Sequence, residues 1–166
     1  MLQAVTFAVI ALLTVIDQIT KYIVVLYLKP IGMTDFIPGV RLNYLENTGA
    51  AFGSMTGNTV LLSVITAVVL VALLIALGKK VFSSKILHWG VALITAGGIG
   101  NLIDRVFRGY VTDFFEFTFI KFPVFNVADC LITVGAVISI IYLVYDIVVS
   151  IKKEKAEKAA KEHNDD

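Results

Sequence analysis

Three aspartates, Asp104, Asp113 and Asp129, are the side chains of this sequence best suited to acid–base chemistry. Two carboxyls that share one proton can divide the work of hydrolysis. The ionised one takes a proton from water, and the protonated one donates to a carbonyl oxygen. Position alone does not select two of the three. Asp104 is followed by Arg105, with which it could form a structural ion pair, so Asp113 and Asp129 make the better dyad.

Histidine and cysteine chemistry is disfavoured because these residues are so few. The two histidines, His88 and His163, lie away from the stretches that hold the aspartates, so we expect neither a Ser–His pair nor a zinc site. The one cysteine, Cys130, has no histidine near it to activate it, and we expect a small buried side chain. We therefore expect no metal ion and no cofactor, which leaves carboxylate chemistry.

The elements that must position these carboxyls are membrane-spanning helices. Of the 166 residues, 58% are hydrophobic and 16% are charged, whereas soluble domains are about 45–50% apolar and about 25% charged. The mean hydropathy is +0.87. A spanning helix needs about 20 mostly apolar residues. Four segments qualify, at about 2–28, 60–77, 86–103 and 127–151, which predicts an all-α membrane protein. The net charge of +1 makes nucleic acid an unsuitable partner.

The distribution of lysine and arginine predicts the orientation of the four spans. Both termini fall on one side of the membrane, and that side carries eight basic residues against five on the other. Basic residues favour the cytoplasmic side, so we expect cytoplasmic termini. Residues 1–151 then form one four-helix domain with outer connections at about 29–59 and 104–126, and 152–166 form a cytoplasmic tail. The alternating run 40–45 predicts a short strand in the first outer connection.

Polar residues from separate stretches converge on one depth, the outer membrane interface. Charges inside spans are costly and are usually paired or functional. Asp17 and Lys21 are four residues apart and share one helix face in the outer half of the first span. They are either a self-neutralising pair or a contact to substrate. The other polar residues expected at this level are Asn47, Asn101, Asp104, Arg105, Asp113, Asn126 and Asp129.

A small proton-coupled transporter with four spans is the main alternative function, since membrane carboxylates also serve proton relays. A relay would place its acids near the bilayer midplane, and here only Asp17 comes close to that depth. A purely structural membrane adaptor is a second alternative, and it leaves the aspartate cluster without an explanation.

Five segments, in order along the chain, resemble the signatures of lipoprotein signal peptidases (signal peptidase II). They are residues 17–21 (DQITK), 47–53 (NTGAAFG), 97–105 (GGIGNLIDR), 111–114 (VTDF) and 125–129 (FNVAD). Each segment is short, but the order of all five between four spans is specific. The resemblance covers the chain from about residue 2 to 151 and leaves only the tail outside.

The resemblance implies a bacterial plasma-membrane aspartyl endopeptidase with four transmembrane helices, a small extracytoplasmic β-sheet and a short helix in the outer loop. It implies diacylglyceryl prolipoproteins as substrates, cut just before the lipidated cysteine, and inhibition by the cyclic peptide globomycin. The implied catalytic residues are Asp113 and Asp129. The implied substrate-binding or supporting residues are Asp17, Lys21, Asn47, Gly49, Asn101, Asp104, Arg105 and Asn126. We expect a monomer in contact with membrane lipids.

Overall fold

The computed structural model describes residues 2–49 and 59–164, and within them it contains four helices and a three-stranded sheet. The helices are α1 (Leu2–Ile23), α2 (Thr59–Gly78), α3 (Lys85–Arg108) and α4 (Val127–Asn164). The strands are β1 (Met33–Ile37), β2 (Val40–Asn47) and β3 (Val111–Phe117). A π-helical turn, Val24–Leu28, continues α1.

Four stretches are long and apolar enough to cross a membrane, as the sequence predicted: Leu2–Leu28, Thr59–Gly78, Lys85–Arg108 and Val127–Lys155. The third helix is longer at its end than expected, so the second outer connection begins at Gly109 and not at 104. Gly109 ends α3 with a left-handed φ of 80°, which glycine adopts without the steric cost of a Cβ atom. Asp104 and Arg105 therefore lie on the last turns of a helix, where their directions are fixed.

Helix α3 is the centre of the bundle, because it packs against α1, α2 and α4. Glycines allow this close approach: a Cβ atom on Gly97 would collide with the backbone oxygen of Ala128, and one on Gly100 would collide with the Asp17 carboxylate. Small residues at helix contacts are the usual way for membrane helices to pack tightly. The close packing brings the polar ends of α1, α3 and α4 together at one end of the bundle.

The sheet covers that same end with strands in the order β1-β2-β3, all antiparallel. The strand predicted at 40–45 is part of β2, which runs on to Asn47. Strand β3 falls in the aromatic connection between α3 and α4, and its pairing places Asp113 opposite Leu45 on β2. The expected short outer helix is not seen among residues 29–49 and 109–126. Residues 50–58 lie outside the described residues, as do positions 50–53 of the second signature-like segment.

Helix α4 extends well beyond a membrane span. Its 38 residues make it about 57 Å long, against about 30 Å for the hydrocarbon core. The described part of the tail, through Asn164, continues this helix, as a solvated helical tail would.

Candidate active site

Asp129 is held at the start of α4 by two reciprocal hydrogen bonds with Asn126. Asn126 Oδ1 accepts the backbone N–H of Asp129 at 3.0 Å, and Asp129 Oδ2 accepts the backbone N–H of Asn126 at 3.1 Å. In such a capping box, the residue before a helix and the residue three positions later satisfy each other's free N–H groups. The three-residue spacing of Asn126 and Asp129 allows this box to form. The box both starts α4 and fixes the Asp129 carboxyl.

Asp113 lies on β3 and is buried, with only 1% of its surface exposed. Asn47 Nδ2 donates to its Oδ2 at 2.8 Å, and Asn126 Nδ2 donates to its Oδ1 at 2.6 Å. Burial, and then the negative charge of Asp129, raise the pKa of Asp113 to about 7, although the two amide hydrogen bonds and Lys21 act in the opposite direction. A carboxyl with this pKa can hold a proton near neutral pH. Asn126 thus contacts both aspartates at once.

Asn101 connects Asp129 to the interior of the bundle. Its Nδ2 donates to Asp129 Oδ1 at 2.8 Å. Its Oδ1 accepts a hydrogen bond from Lys21 Nζ at 2.9 Å and another from Asn126 Nδ2 at 3.2 Å. Both oxygens of Asp129 therefore accept an N–H group, one from this side chain and one from the backbone of Asn126.

A layer of fully buried charges, Asp17, Lys21 and Asp104, lies behind Asn101. Lys21 Nζ is 2.9 Å from Asp17 Oδ2 and 3.3 Å from Asp104 Oδ2. Buried charges must be paired to offset the cost of removing them from water. The sequence left open a self-neutralising pair or a substrate contact, and full burial favours the pair.

The buried layer also ties the site to the elements around it. Asp17 Oδ1 accepts the backbone N–H of Ala128 at 2.9 Å, which joins α1 to the first turn of α4. Asp104 Oδ2 accepts the backbone N–H of Thr112 at 2.9 Å, which joins α3 to β3. Each aspartate of the dyad is therefore next to a backbone position that a buried carboxylate holds.

The suggested ion pair between Asp104 and Arg105 is wrong. Asp104 pairs with Lys21 and, at 3.4 Å, with Arg108. Consecutive residues on a helix point in different directions, whereas residues four apart share a face. Arg105 instead points toward the dyad, and its Nη2 lies 3.4 Å from the backbone oxygen of Gly49. Within the described part of the chain, the buried Nε of Arg105 has no hydrogen-bond partner.

Gly49 supports the site through its backbone. Its N–H donates to Asn47 Oδ1 at 3.0 Å, so the amide group of Asn47 is left facing Asp113. The Gly49 backbone oxygen is the acceptor that Arg105 approaches. This residue was predicted from the resemblance alone, and it contributes main-chain atoms only.

A cavity of about 940 Å³ opens beside the two aspartates. Its polar lining is Asn47, Arg105, Asp113 and Asp129, and the remaining lining is largely apolar. The other lining residues are Leu45, Phe117, Phe122, Pro123, Val124, Phe125, Cys130, Ile132, Thr133 and Val134. A cavity with a few convergent polar groups in an apolar wall is the usual form of a substrate site.

The expectation that Cys130 is buried is wrong, since its side chain is exposed and lines the cavity. It lies at the start of α4 and, like Asp129, borders the cavity. The aromatic wall, with Phe117, Phe122 and Phe125, was also not predicted as part of the site. The dense phenylalanines of residues 114–125 are the available signal, but aromatic residues also concentrate at the membrane surface, so the pattern does not by itself indicate a site.

The chemistry of the donor atoms points to proton transfer. Among the described residues, no group of three or more histidine, cysteine, aspartate or glutamate side chains is arranged to hold a metal ion. The two carboxyls at the cavity are instead surrounded by amide donors, and one of them has a pKa near neutrality. A group that can gain or lose a proton near neutral pH suits general acid–base catalysis.

Comparisons of this sequence and of its structure with those of known proteins agree with one another. The family model described as signal peptidase (SPase) II matches residues 9–145. A lipoprotein signal peptidase of Enterococcus faecalis is 40% identical over 162 residues, which cover 97% of this chain and 94% of that protein. A lipoprotein signal peptidase of Caldanaerobacter subterraneus is 46% identical over 132 residues, which cover 78% of this chain and 89% of that protein. A solved bacterial membrane enzyme is 32% identical with a TM-score of 0.79, covering 87% of this chain and 90% of the other.

Proposed function

The chain belongs to the signal peptidase II family, and we propose that it removes the signal peptide from diacylglyceryl prolipoproteins by cutting just before the lipidated cysteine. Asp113 and Asp129 are the catalytic pair in this proposal, which makes the enzyme an aspartyl endopeptidase. The observation that carries it is the position of both carboxyls at one cavity, with Asn126 hydrogen-bonded to each of them.

The two carboxyls divide the proton transfers of peptide hydrolysis. Ionised Asp129 takes a proton from water as the water oxygen attacks the scissile carbonyl carbon, and protonated Asp113 donates to the carbonyl oxygen. In the second half, Asp129 gives its proton to the leaving amine nitrogen. Asp113 recovers a proton from a hydroxyl of the tetrahedral intermediate, so the dyad returns to its starting state. The raised pKa of Asp113 supports its role as the acid.

The lipid anchor of the substrate explains why the dyad is near the ends of the spanning helices. We propose that the protein lies in the bacterial plasma membrane with both termini in the cytoplasm and the cavity at the outer interface. A peptide bond next to a membrane anchor is held at that depth. An interfacial dyad reaches the bond without extracting the acyl chains, and the apolar cavity wall suits a substrate of this kind.

Globomycin belongs to the same proposal. The resemblance implies that this cyclic peptide inhibits the enzyme, and occupation of the cavity would block access to both carboxyls. We also propose that the active form is a monomer in contact with membrane lipids.

The test is the incubation of purified protein with a diacylglyceryl prolipoprotein, with mass spectrometry of the products. We expect the wild type to release the signal peptide just before the lipidated cysteine and globomycin to stop the reaction. Asp113→Asn and Asp129→Asn each remove one member of the acid–base pair, so we expect the rate to fall by at least about 100-fold.

Glu116→Gln is the matched control for these variants. It removes a carboxyl from the same strand as Asp113, but Glu116 pairs with Arg41 on the sheet and not with the dyad. We expect its cleavage rate to stay close to that of the wild type. Near-normal cleavage by both aspartate variants would rule out the dyad. Proton transport into liposomes without any cleavage would support a transporter instead.

A further inference from the structure

The three asparagines that donate to the dyad differ in what holds their own carbonyl oxygens. Those of Asn47 and Asn126 each accept a backbone N–H group. The oxygen of Asn101 is held by a side-chain cation, Lys21 Nζ, at 2.9 Å. Asn101 is therefore oriented by a residue on a different helix, and the charge of that residue is part of the arrangement.

We propose that Lys21 is a positioning residue for catalysis: from inside the bundle it fixes the Asn101 carboxamide so that the NH₂ group faces Asp129. This inference rests on the proposed function, because it assigns the reacting base to Asp129. The bond from Asn101 Nδ2 to Asp129 Oδ1 is 2.8 Å long.

The direction of the Asn101 carboxamide determines whether Asp129 meets a hydrogen-bond donor or an acceptor. The two ends of a carboxamide are nearly equal in size, but one end donates hydrogen bonds and the other accepts them. A reversed Asn101 would place its oxygen against the Asp129 carboxylate and its NH₂ against the Lys21 ammonium, and both contacts would be repulsive. Asn126 Nδ2, at 3.2 Å from Asn101 Oδ1, supports the same direction. The observed direction supplies a donor to the charged form of Asp129.

Lys21 does not reach the substrate cavity, because its side chain is fully buried and is not part of the cavity lining. Its charge acts on Asp113 from a distance, and its hydrogen bond to Asn101 is its route to Asp129. Asp17 and Asp104 lie on either side of the ammonium at 2.9 and 3.3 Å and allow a cation to persist inside the bundle. We therefore expect Lys21 to affect the rate of the chemical step, kcat, much more than KM.

Charged groups on every packed element contribute to the pH dependence of the dyad. They are Asp17 and Lys21 on α1, Asp104 and Arg105 on α3, Asp113 on β3 and Asp129 on α4. Loss of the Lys21 charge, together with loss of the oriented NH₂ donor, disfavours the ionised base. The acidic limb of the kcat profile should then move to higher pH.

The experiment compares three variants with the same diacylglyceryl prolipoprotein. Asp17→Asn alone is the baseline, since it keeps Lys21 paired with Asp104 and Asn101. Lys21→Met in that background removes the donor without leaving the Asp17 charge unpaired. Lys21→Gln in that background restores a neutral side-chain donor near the Asn101 oxygen. Thermal unfolding of each purified variant shows that it is folded.

We expect the methionine variant to lose kcat by about 10- to 100-fold relative to the baseline, by analogy with the outer groups that orient the ligands of metal sites. KM should change little, and the acidic limb of the kcat profile should move to higher pH. The glutamine variant should recover much of the lost kcat. A methionine variant with the same kcat as the baseline, and with the acidic limb of its kcat profile at the same pH, would overturn the proposal. A glutamine variant as slow as the methionine variant would also overturn it. If the methionine variant does not fold, the glutamine variant carries the test: it lacks the Lys21 charge, so an acidic limb at the same pH as in the baseline would overturn the proposal.

These outcomes are separate from a failure of the proposed function. If wild-type protein does not cleave the prolipoprotein, then the proposed function fails. If the wild type cleaves and the methionine variant matches the Asp17→Asn baseline, the function stands and the role of Lys21 does not.

Discussion

At the scale of single residues, Asp113 and Asp129 are two identical side chains in different surroundings. Asp113 is held between the amide groups of Asn47 and Asn126 on a buried strand, and its pKa is raised to about 7. Asp129 is held by a capping box and by Asn101, whose direction depends on a buried cation. The difference lies in the groups that surround each carboxyl, and in the proposed mechanism it makes Asp113 the proton donor and Asp129 the proton acceptor.

The pKa of Asp113 predicts a basic limb in the pH profile of cleavage. A raised carboxyl pKa means that Asp113 keeps its proton up to about pH 7 and loses it above that value. The rate of cleavage, measured as kcat/KM from about pH 5 to 9, should therefore fall as the pH rises through neutrality. A rate that stays flat between about pH 6 and 9 would contradict the assignment of Asp113 as the acid.

The two candidate carboxyls could be singled out from the sequence, but the partners of the polar residues around them could not. Asp113 and Asp129 stand out because charged residues are rare in this chain and histidine and cysteine chemistry is disfavoured. The partner of Asp104 depends on the rotation of α3 and on the packing of α1 beside it, and adjacency in sequence suggested Arg105 instead of Lys21. The exposure of Cys130 depends on the shape of the cavity, which forms only when separate elements meet.

At the scale of secondary structure, hydropathy predicted the four helices well, because a membrane span needs a long apolar run. Strand β3 was missed, although Val111–Phe117 is rich in the β-branched and aromatic residues that strands favour. Its pairing with β2 joins residues far apart in the sequence, and the aromatic run also matched a membrane-surface segment. Local pattern alone did not separate these two interpretations.

The contact between α3 and α4 should be sensitive to a single methyl group at Gly97. A Cβ atom there would collide with the backbone oxygen of Ala128, next to Asp129, and would crowd Ile132. Overpacking of this kind usually costs about 1–3 kcal/mol. We expect Gly97→Ala to lower the midpoint of thermal unfolding and to reduce the cleavage rate, since α4 carries Asp129.

Gly78→Ala is the control for this substitution. A Cβ atom on Gly78 would meet its nearest neighbour, the Phe7 ring, at 3.8 Å, which is ordinary contact. Both variants add one methyl group to a helix, so only the available space differs between them. If Gly97→Ala unfolds and cleaves like Gly78→Ala, close packing at Gly97 does not position Asp129.

At the scale of the whole molecule, the two ends of the helical bundle have different chemistry. The dyad, the asparagines and the buried charges lie where α1 and α3 end and α4 begins. At the opposite end, His88 Nε2 is 2.8 Å from Thr6 Oγ1, whose own hydroxyl donates to the Leu2 backbone oxygen. That histidine occupies a buried structural contact near the start of α1, a full span away from the dyad.

The difference between the two ends predicts how the protein lies across the membrane. The end away from the dyad carries eight basic residues against five at the dyad end, and those on the described tail, Lys152, Lys153 and Lys155, are exposed. Basic residues are retained on the cytoplasmic side. A fluorescent protein fused after the tail should therefore fluoresce, and alkaline phosphatase at the same site should be inactive. Alkaline phosphatase fused after Gly49, beyond the first span, should be active. The reverse pattern would put the dyad on the cytoplasmic side, where it could not reach a prolipoprotein whose lipidated cysteine lies at the outer interface.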